Sequence, residues 1–256
     1  MLKIASWNVN SLKVRLPHVL QWMSTSEIDL LALQETKLND PDFPEKTFKD
    51  LGLNVVFSGQ KTYNGVAIIS RAAISDIATD LPGFIDPQRR ILAVTIHGIR
   101  VINLYVPNGS EVGSDKYIYK LDWLKHVTNY IKEQLSSYTK VVVMGDFNIA
   151  PLDFDVYSST AMQGGILISQ CERNAFAELL SIGLADGFRL LNPELQRYSW
   201  WDYRAASFKR NQGARIDHIL ISNALHNQVI ASDIDLEPRC WERPSDHAPI
   251  WMTLNV

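Results

Sequence analysis

Val141-Val142-Val143-Met144-Gly145-Asp146-Phe147-Asn148 is the stretch on which the fold turns. Its first half is wholly apolar, as in a strand buried on both faces. Glycine is expected to end the run, and a carboxylate and a carboxamide follow at alternate positions. Alternate residues of extended backbone face the same way, so Asp146 and Asn148 are placed to share one site at the carboxyl end of a core strand. A carboxylate there takes a proton or holds a cation; a carboxamide orients a water or a phosphate oxygen. The competing reading is an ordinary strand exit, because Gly, Asp and Asn are common turn residues. The octapeptide alone leaves both open.

Similar β-type runs extend outward from it: Leu2–Trp7, Leu30–Gln34, Val55–Ser58, Val66–Ser70, Ile91–Ile96, Val101–Val106, Ile216–Ile221, Val229–Leu236 and Ile250–Leu254. Helices are expected after Arg15, after Ser114 as N-cap, and over Glu172–Leu180. In the second of these Leu121, Leu124, Val127 and Ile131 recur at helical spacing. Many strands apolar on both faces, few helices and no linker predict one α/β domain over residues 1–256 with packed sheets. No solenoid period is present.

Composition sets bounds. With 46% hydrophobic residues the chain can bury a large core, and a net charge of −3 does not mark a nucleic-acid binder while leaving room for a local basic face or a metal. Cys171 and Cys240 lie far apart without metal-ligand spacing, which predicts reduced thiols, buried or neutral. With no signal-peptide segment and no apolar run of membrane length, a soluble cytoplasmic protein is expected.

Polar residues gather just past the apolar runs. Leu2–Trp7 leads to Asn8-Val9-Asn10, Leu30–Gln34 to Glu35-Thr36-Lys37, and Val101–Leu104 to Tyr105-Val106-Pro107-Asn108. Arg215-Ile216-Asp217-His218 sets an acid within an apolar run, and Ser245-Asp246-His247-Ala248-Pro249 precedes the last strand. One acid at a strand end is usually solvated. A recurring set argues otherwise, since buried carboxylates must be paired, protonated or bound to metal. Gly-x-Ser-x-Gly, Walker, dinucleotide-loop and zinc spacings are all absent. Oxygen ligands with a histidine remain, which suit Mg²⁺ or Mn²⁺ and metal-assisted attack of water on a phosphate ester.

In this order, Trp7-Asn8-Val9-Asn10, Leu33-Gln34-Glu35-Thr36-Lys37, Gly145-Asp146-Phe147-Asn148, Arg215-Ile216-Asp217-His218 and Ser245-Asp246-His247-Ala248-Pro249 resemble the exonuclease III and abasic-endonuclease family of the exonuclease/endonuclease/phosphatase superfamily. The resemblance runs from residue 2 to the final strand. It implies a four-layer α/β sandwich, with two central, mostly antiparallel β-sheets flanked by helices and a site at one edge. It also implies a Mg²⁺-dependent DNA-repair phosphodiesterase, with Mn²⁺ as a substitute ion. The activity would be 3′→5′ exodeoxyribonuclease on duplex DNA, with 3′-phosphatase, 3′-phosphodiesterase and abasic-endonuclease activities beside it. The partners would be double-stranded DNA with 3′ ends, nicks or abasic sites, met by a monomer without a membrane.

By the same resemblance Glu35 is the direct metal ligand and Asp246 holds the metal or its waters. Asn10 stands at a third ligand position, where an aspartate would bind a cation more strongly. Asp146 is the general base or water-orienting carboxylate, Asn148 fixes the water or a phosphate oxygen, and Asn8 supports Asp146. Tyr105 and Asn108 contact the scissile phosphate. His247 donates to a non-bridging oxygen, with Asp217 holding its imidazole. Trp200, with Ala214 and Ile216 as further walls, lines a sugar pocket. Arg204 and Arg90, among Arg215, Lys209, Arg210, Arg89, Arg71 and Lys61, supply phosphate contacts.

The segment after Asn148 departs from the Asn/Lys-rich loop of efficient abasic endonucleases: Ala150–Tyr157 and Ser158–Ile168 are acidic and rich in small residues. The balance of activities therefore stays open. Two alternatives stand beside the nuclease: a phosphoesterase of the same superfamily acting on a non-DNA substrate, and a DNA-binding protein on an inactive nuclease scaffold. Retention of Glu35, Asp146, Asn148, Asp217, Asp246 and His247 weighs against the second.

Overall fold

Period-two alternation builds both sheets. In β2 (Leu30–Gln34), Leu30 and Ala32 enter one apolar cluster and Leu31 and Leu33 another. In β8 (Val141–Asp146), Val142 and Met144 face the same central cluster while Val141 and Val143 face a third. Strands buried on both faces need cover on both, and the computed structural model, which describes residues 1–256, supplies it as helix, sheet, sheet and helix layers.

The other strands are β1 (Leu2–Asn8), β3 (Asn54–Ser58), β4 (Val66–Ser70), β5 (Ser75–Ala78), β6 (Ile91–Ile96), β7 (Ile99–Tyr105), β9 (Leu184–Asp186), β10 (Asp217–Ser222), β11 (Val229–Ile234) and β12 (Ile250–Leu254). The helices are α1 (Leu12–Ser26), α2 (Glu45–Lys49), α3 (Asp115–Ser137), α4 (Ser159–Met162), α5 (Gln170–Ser181) and α6 (Gly187–Leu191). One six-stranded sheet runs β11-β12-β1-β2-β4-β3, the other β5-β6-β7-β8-β10-β9. Only β1·β2 and β7·β8 are parallel; the other neighbours are antiparallel, as the resemblance implied. Val19, Trp22 and Met23 of α1 cover the first sheet. Trp123, Leu124, Val127 and Ile131 of α3, with Phe176 and Leu179 of α5, cover the second.

A buried polar cluster joins the sheets across the core. Gln34 Nε2 donates to Asn103 Oδ1 at 2.7 Å and to Ser6 Oγ at 2.9 Å, and Asn103 Nδ2 donates to the carbonyls of Leu33 and Ala67. This side-chain bond joins the two sheets directly beneath Glu35 and Tyr105.

Several expectations need correction. Gly145 does not end its strand: β8 continues to Asp146, and the glycine is there for clearance. Its φ is 144°, and a Cβ would stand 1.9 Å from the Leu104 carbonyl oxygen of the neighbouring strand. β5 and β9 carry no extended apolar run and were not expected. Helix α5 begins before Glu172 because Ser169 and Glu172 form a capping box. Ser114 caps α3 as expected, accepting from Tyr117 N. Both cysteines are free and exposed rather than buried. No helix is long and apolar enough to cross a membrane.

Candidate active site

Strand direction explains why distant motifs meet. The parallel pairs β1·β2 and β7·β8 bring Asn8, Glu35, Tyr105 and Asp146 to one edge at their carboxyl ends. Antiparallel neighbours contribute their amino ends to the same edge: Asp217 pairs in register with Asp146, and Asp246 and His247 lie just before β12. The resulting cleft has a volume of about 720 Å³ and is lined by Glu35, Tyr105, Asp146, Asn148, Asp246 and His247 among others.

At its floor Asn8 Nδ2 donates to both Glu35 Oε1 and Asp146 Oδ2, each at 2.9 Å, and Tyr105 Oη donates to Glu35 Oε1 at 2.9 Å. Asn148 meets Asp146, but not by strand alternation. Its backbone is left-handed (φ 49°), its N–H donates to Asp146 Oδ1 at 2.9 Å, and its Nδ2 donates to Asp146 Oδ2 at 3.2 Å. A turn closed on the aspartate, not extended backbone, makes them one unit. Asn108 Nδ2 donates to Asn148 Oδ1 at 3.1 Å, adding a second carboxamide to the rim.

His247 and Asp217 form the expected couple, Nδ1 to Oδ2 at 2.9 Å, and His247 Nε2 lies 3.8 Å from Asp146 Oδ2. Both carboxylates and the imidazole are buried. Burial opposes charge on His247, but Asp217 and then Asp146 outweigh it and raise its pKa to about 10. Burial raises the Asp146 carboxyl to about 7, against the pull of His247 and the Asn8 hydrogen bond. Ser245 ties the last motif to the first: its Oγ donates to the Asn8 carbonyl at 2.7 Å and accepts from His247 N at 3.2 Å.

Two groups of residues bear on a cation. The donor atoms of Asp146, Asp217 and His247 lie within 4.8 Å of one another. There the imidazole is committed to the two carboxylates, Nδ1 to Asp217 and Nε2 facing Asp146. Glu35 and Asp246 fit a hard divalent ion better, as half-buried carboxylates on the open side of the cleft. Burial works against ionisation of Glu35, but Lys37 and the Asn8 hydrogen bond prevail and lower its pKa. Lys37 Nζ stands 2.8 Å from Glu35 Oε2 and donates to Asn10 Oδ1, while Asn10 Nδ2 donates to Asp246 Oδ1 at 2.9 Å. Asn10 thus gives one lone pair of its oxygen to a lysine and an amide N–H to Asp246. Lys37, quoted in its motif but given no role, is the cation that answers Glu35.

The substrate-binding expectations divide. Trp200 lines the cleft and donates Nε1–H to Asp246 Oδ2 at 3.0 Å, while its neighbour Trp201 is buried in the core. Ile216 is a wall. Ala214 is not: it is fully buried behind Trp200, in a small cluster with Val156 and Leu167. Arg204 lines the cleft as an exposed side chain paired with Asp202. Arg90 is buried, its guanidinium 4.6 Å from the Tyr105 ring centroid and bonded to the Tyr105 carbonyl, so it braces Tyr105 instead of reaching outward. Arg215 is buried between Asp155 and Asp186, and Arg71 binds Ile28 O at the far end of the first sheet. Neither faces the cleft.

These features have counterparts in known proteins. The sequence profile of the Endonuclease/Exonuclease/phosphatase family matches residues 5–247. The Exodeoxyribonuclease III of Haemophilus influenzae is 34% identical over 98% of each chain. Among solved structures, the 3′ phosphatase NExo from Neisseria bound to a product DNA hairpin superposes with a TM-score of 0.99 at 44% identity, covering 100% of both chains. An AP endonuclease from Archaeoglobus fulgidus gives 0.97 at 37% identity, also covering 100% of both. With the profile spanning nearly the whole length and every one of its motifs meeting at this edge, the chain belongs to the Endonuclease/Exonuclease/phosphatase family.

Proposed function

We propose that this chain is a DNA-repair phosphodiesterase that hydrolyses phosphoesters at 3′ ends of duplex DNA. The observation that carries this is the joint placement of the Asp146–Asn148 turn, the His247–Asp217 couple and the Glu35–Asp246 side at one cleft. The relatives named as an exodeoxyribonuclease, a 3′ phosphatase and an AP endonuclease support DNA as the substrate. Residues 1–256 act as one domain, since the last strand pairs with the first, and they act as a monomer in the cytoplasm.

Asp146 and Asn148 hold and aim the attacking water, with Asn8 fixing the carboxylate that receives its proton. His247, kept charged by Asp217, donates from Nε2 to a non-bridging phosphate oxygen. Tyr105 and Asn108 orient the phosphate. Glu35 and Asp246 would hold Mg²⁺, with Mn²⁺ as a substitute, and the ion supplies charge for the leaving 3′ oxygen. What supports a divalent ion is the donor chemistry: Glu35 and Asp246 both present carboxylate oxygens to the cleft.

The segment after Asn148 bears on substrate size. Met162, Gln163, Ile166 and Leu167 line the cleft, and Met162, Ile166 and Leu167 pack in one small apolar cluster with Trp200. We read this lining as favouring a 3′ phosphate or terminal nucleotide over an internal abasic site, which has duplex on both sides of the scissile bond. The test compares duplexes carrying a 3′ phosphate, a plain recessed 3′ hydroxyl and an abasic site, with Mg²⁺ and with EDTA. Metal-dependent release ordered with the 3′ phosphate first supports the proposal. Silence on all DNA, with turnover of a soluble phosphoester, refutes it.

A further inference from the structure

The most unusual charge in the molecule lies outside the cleft. Lys120 and Glu172 are both fully buried, with Nζ 2.5 Å from Oε1. Taking two charges out of water costs more than an apolar pair would, unless every donor and acceptor is met. Here they are met in full. The ammonium donates to Glu172 Oε1, to the Asn148 carbonyl at 2.7 Å and to the Asn108 carbonyl at 3.2 Å. Glu172 accepts in turn from Leu167 N, Ser169 N and Ser169 Oγ.

Asn108, Asn148 and Leu167 among the gripped residues belong to the cleft: Asn108 and Asn148 are the two carboxamides bonded to each other at its rim, and Leu167 is part of its lining. Lys120 adds a hold on the carbonyl of Asn148, whose left-handed backbone (φ 49°) is one that Asn adopts more readily than most residues. The preceding loop is shaped to reach the lysine. Gly109 has φ 93°, and a Cβ there would stand 3.2 Å from Lys120 Cδ.

We infer that Lys120 is a positioning residue: from one ammonium it fixes the backbone of Asn108 and Asn148, and through Glu172 it locks the segment at Leu167 and Ser169 to both. This rests on the hydrolytic reading of the cleft given above. A core ion pair that only filled space would be replaceable by apolar side chains without loss of activity.

The experiment uses Lys120→Met, the charge-free pair Lys120→Met/Glu172→Leu, and a cycle with Asn148→Ala, assayed on a 3′-phosphate duplex beside the wild type. In the charge-free pair the melting temperature recovers relative to Lys120→Met alone, while kcat stays down by about 10²-fold and DNA affinity within a few fold, the signature of a misplaced reacting group. In the Asn148→Ala background Lys120→Met costs little more, because the group it positions is already gone. Should Lys120→Met alone fail to fold, the charge-free pair carries the test. A charge-free pair with wild-type kcat, or single effects that multiply in the cycle, overturns the positioning role. An inactive wild type refutes the DNA reading instead, so the two failures are separable.

Discussion

Replacing Arg215 by methionine probes the buried charge network behind the cleft. Arg215 is 1% exposed and bonds Asp155 through Nε (2.7 Å) and Nη2 (3.2 Å), and Asp186 through Nη1 (2.7 Å). Removing one partner of a buried pair costs about 3–5 kcal/mol. The lower end applies, because Asp155 retains Arg189 and Asp186 retains the N–H groups of Phe188 and Arg189. About 3 kcal/mol at about 2–4 °C per kcal/mol for a chain of this size lowers Tm by about 6–12 °C. The pH dependence gives a sharper check. Burial works against ionisation of both aspartates, but Arg215 overrides it and holds both below their ordinary values. In the wild type their contribution is present above the unfolded carboxylate value of about 3.9 and is lost as pH falls through the folded values. Without Arg215 burial dominates, the folded carboxyls rise, and the variant loses stability as pH rises. The gap between the two proteins is therefore widest near pH 7 and narrows toward pH 4. Thermal melts at pH 7 and pH 4.5 read this; equal gaps at both, or a gap under about 2 °C at pH 7, would falsify the network as described.

Asp146→Ala and His247→Ala each lower kcat by about 10²–10⁴-fold while leaving DNA affinity within a few fold; single-turnover assays on a 3′-phosphate duplex check it, and normal cleavage by both variants means the roles are wrongly assigned. Gly145→Ala drives a Cβ to 1.9 Å from Leu104 O and destabilises by about 2–4 kcal/mol through overpacking and backbone strain, measured by urea denaturation; a wild-type midpoint contradicts it. Gln34→Leu leaves Asn103 Oδ1 without its inter-sheet donor and costs about 1–3 kcal/mol, whereas Gln34→Leu with Asn103→Leu costs less than the two singles summed. Strict additivity in the denaturation cycle speaks against the inter-sheet bond.

The central strands were legible because both faces of Leu30–Gln34 and Val141–Met144 are apolar. β5 and β9 were not: Ser75–Ala78 lies largely exposed at a sheet edge, and Leu184–Asp186 is only three residues long. At the cleft, Glu35, Tyr105, Asp146, Asn148, Asp217, Asp246 and His247 converge as their positions past strand ends implied. What the sequence hid is which charges are spent on one another. Arg215 reads as a phosphate contact until Asp155, sixty positions away in the chain, is seen to claim it. Lys120 falls on the apolar stripe of α3, four residues before Leu124, and nothing near it in sequence names Glu172 of another helix as its partner. Asn10 gives no hint in the sequence that Lys37 donates to its oxygen. Pairing across such separations leaves no local pattern. The closest available signal was Ser169-x-x-Glu172, whose capping geometry turns Glu172 inward.

The pairing of β12 with β1 carries a consequence for what a shortened chain can do. Leu2 lies opposite Leu254, and His247 and Asp246 immediately precede the strand that makes this contact. The sheet is whole only once β1 and β12 are both present, and Asn8 needs Ser245 in the same way. A chain cut before Ser245 retains α1, α3 and eleven of the twelve strands in sequence, yet lacks Asp246 and His247 and so holds no complete hydrolytic centre. A cut that reaches Asp246 therefore removes the chemistry before it removes the bulk of the fold.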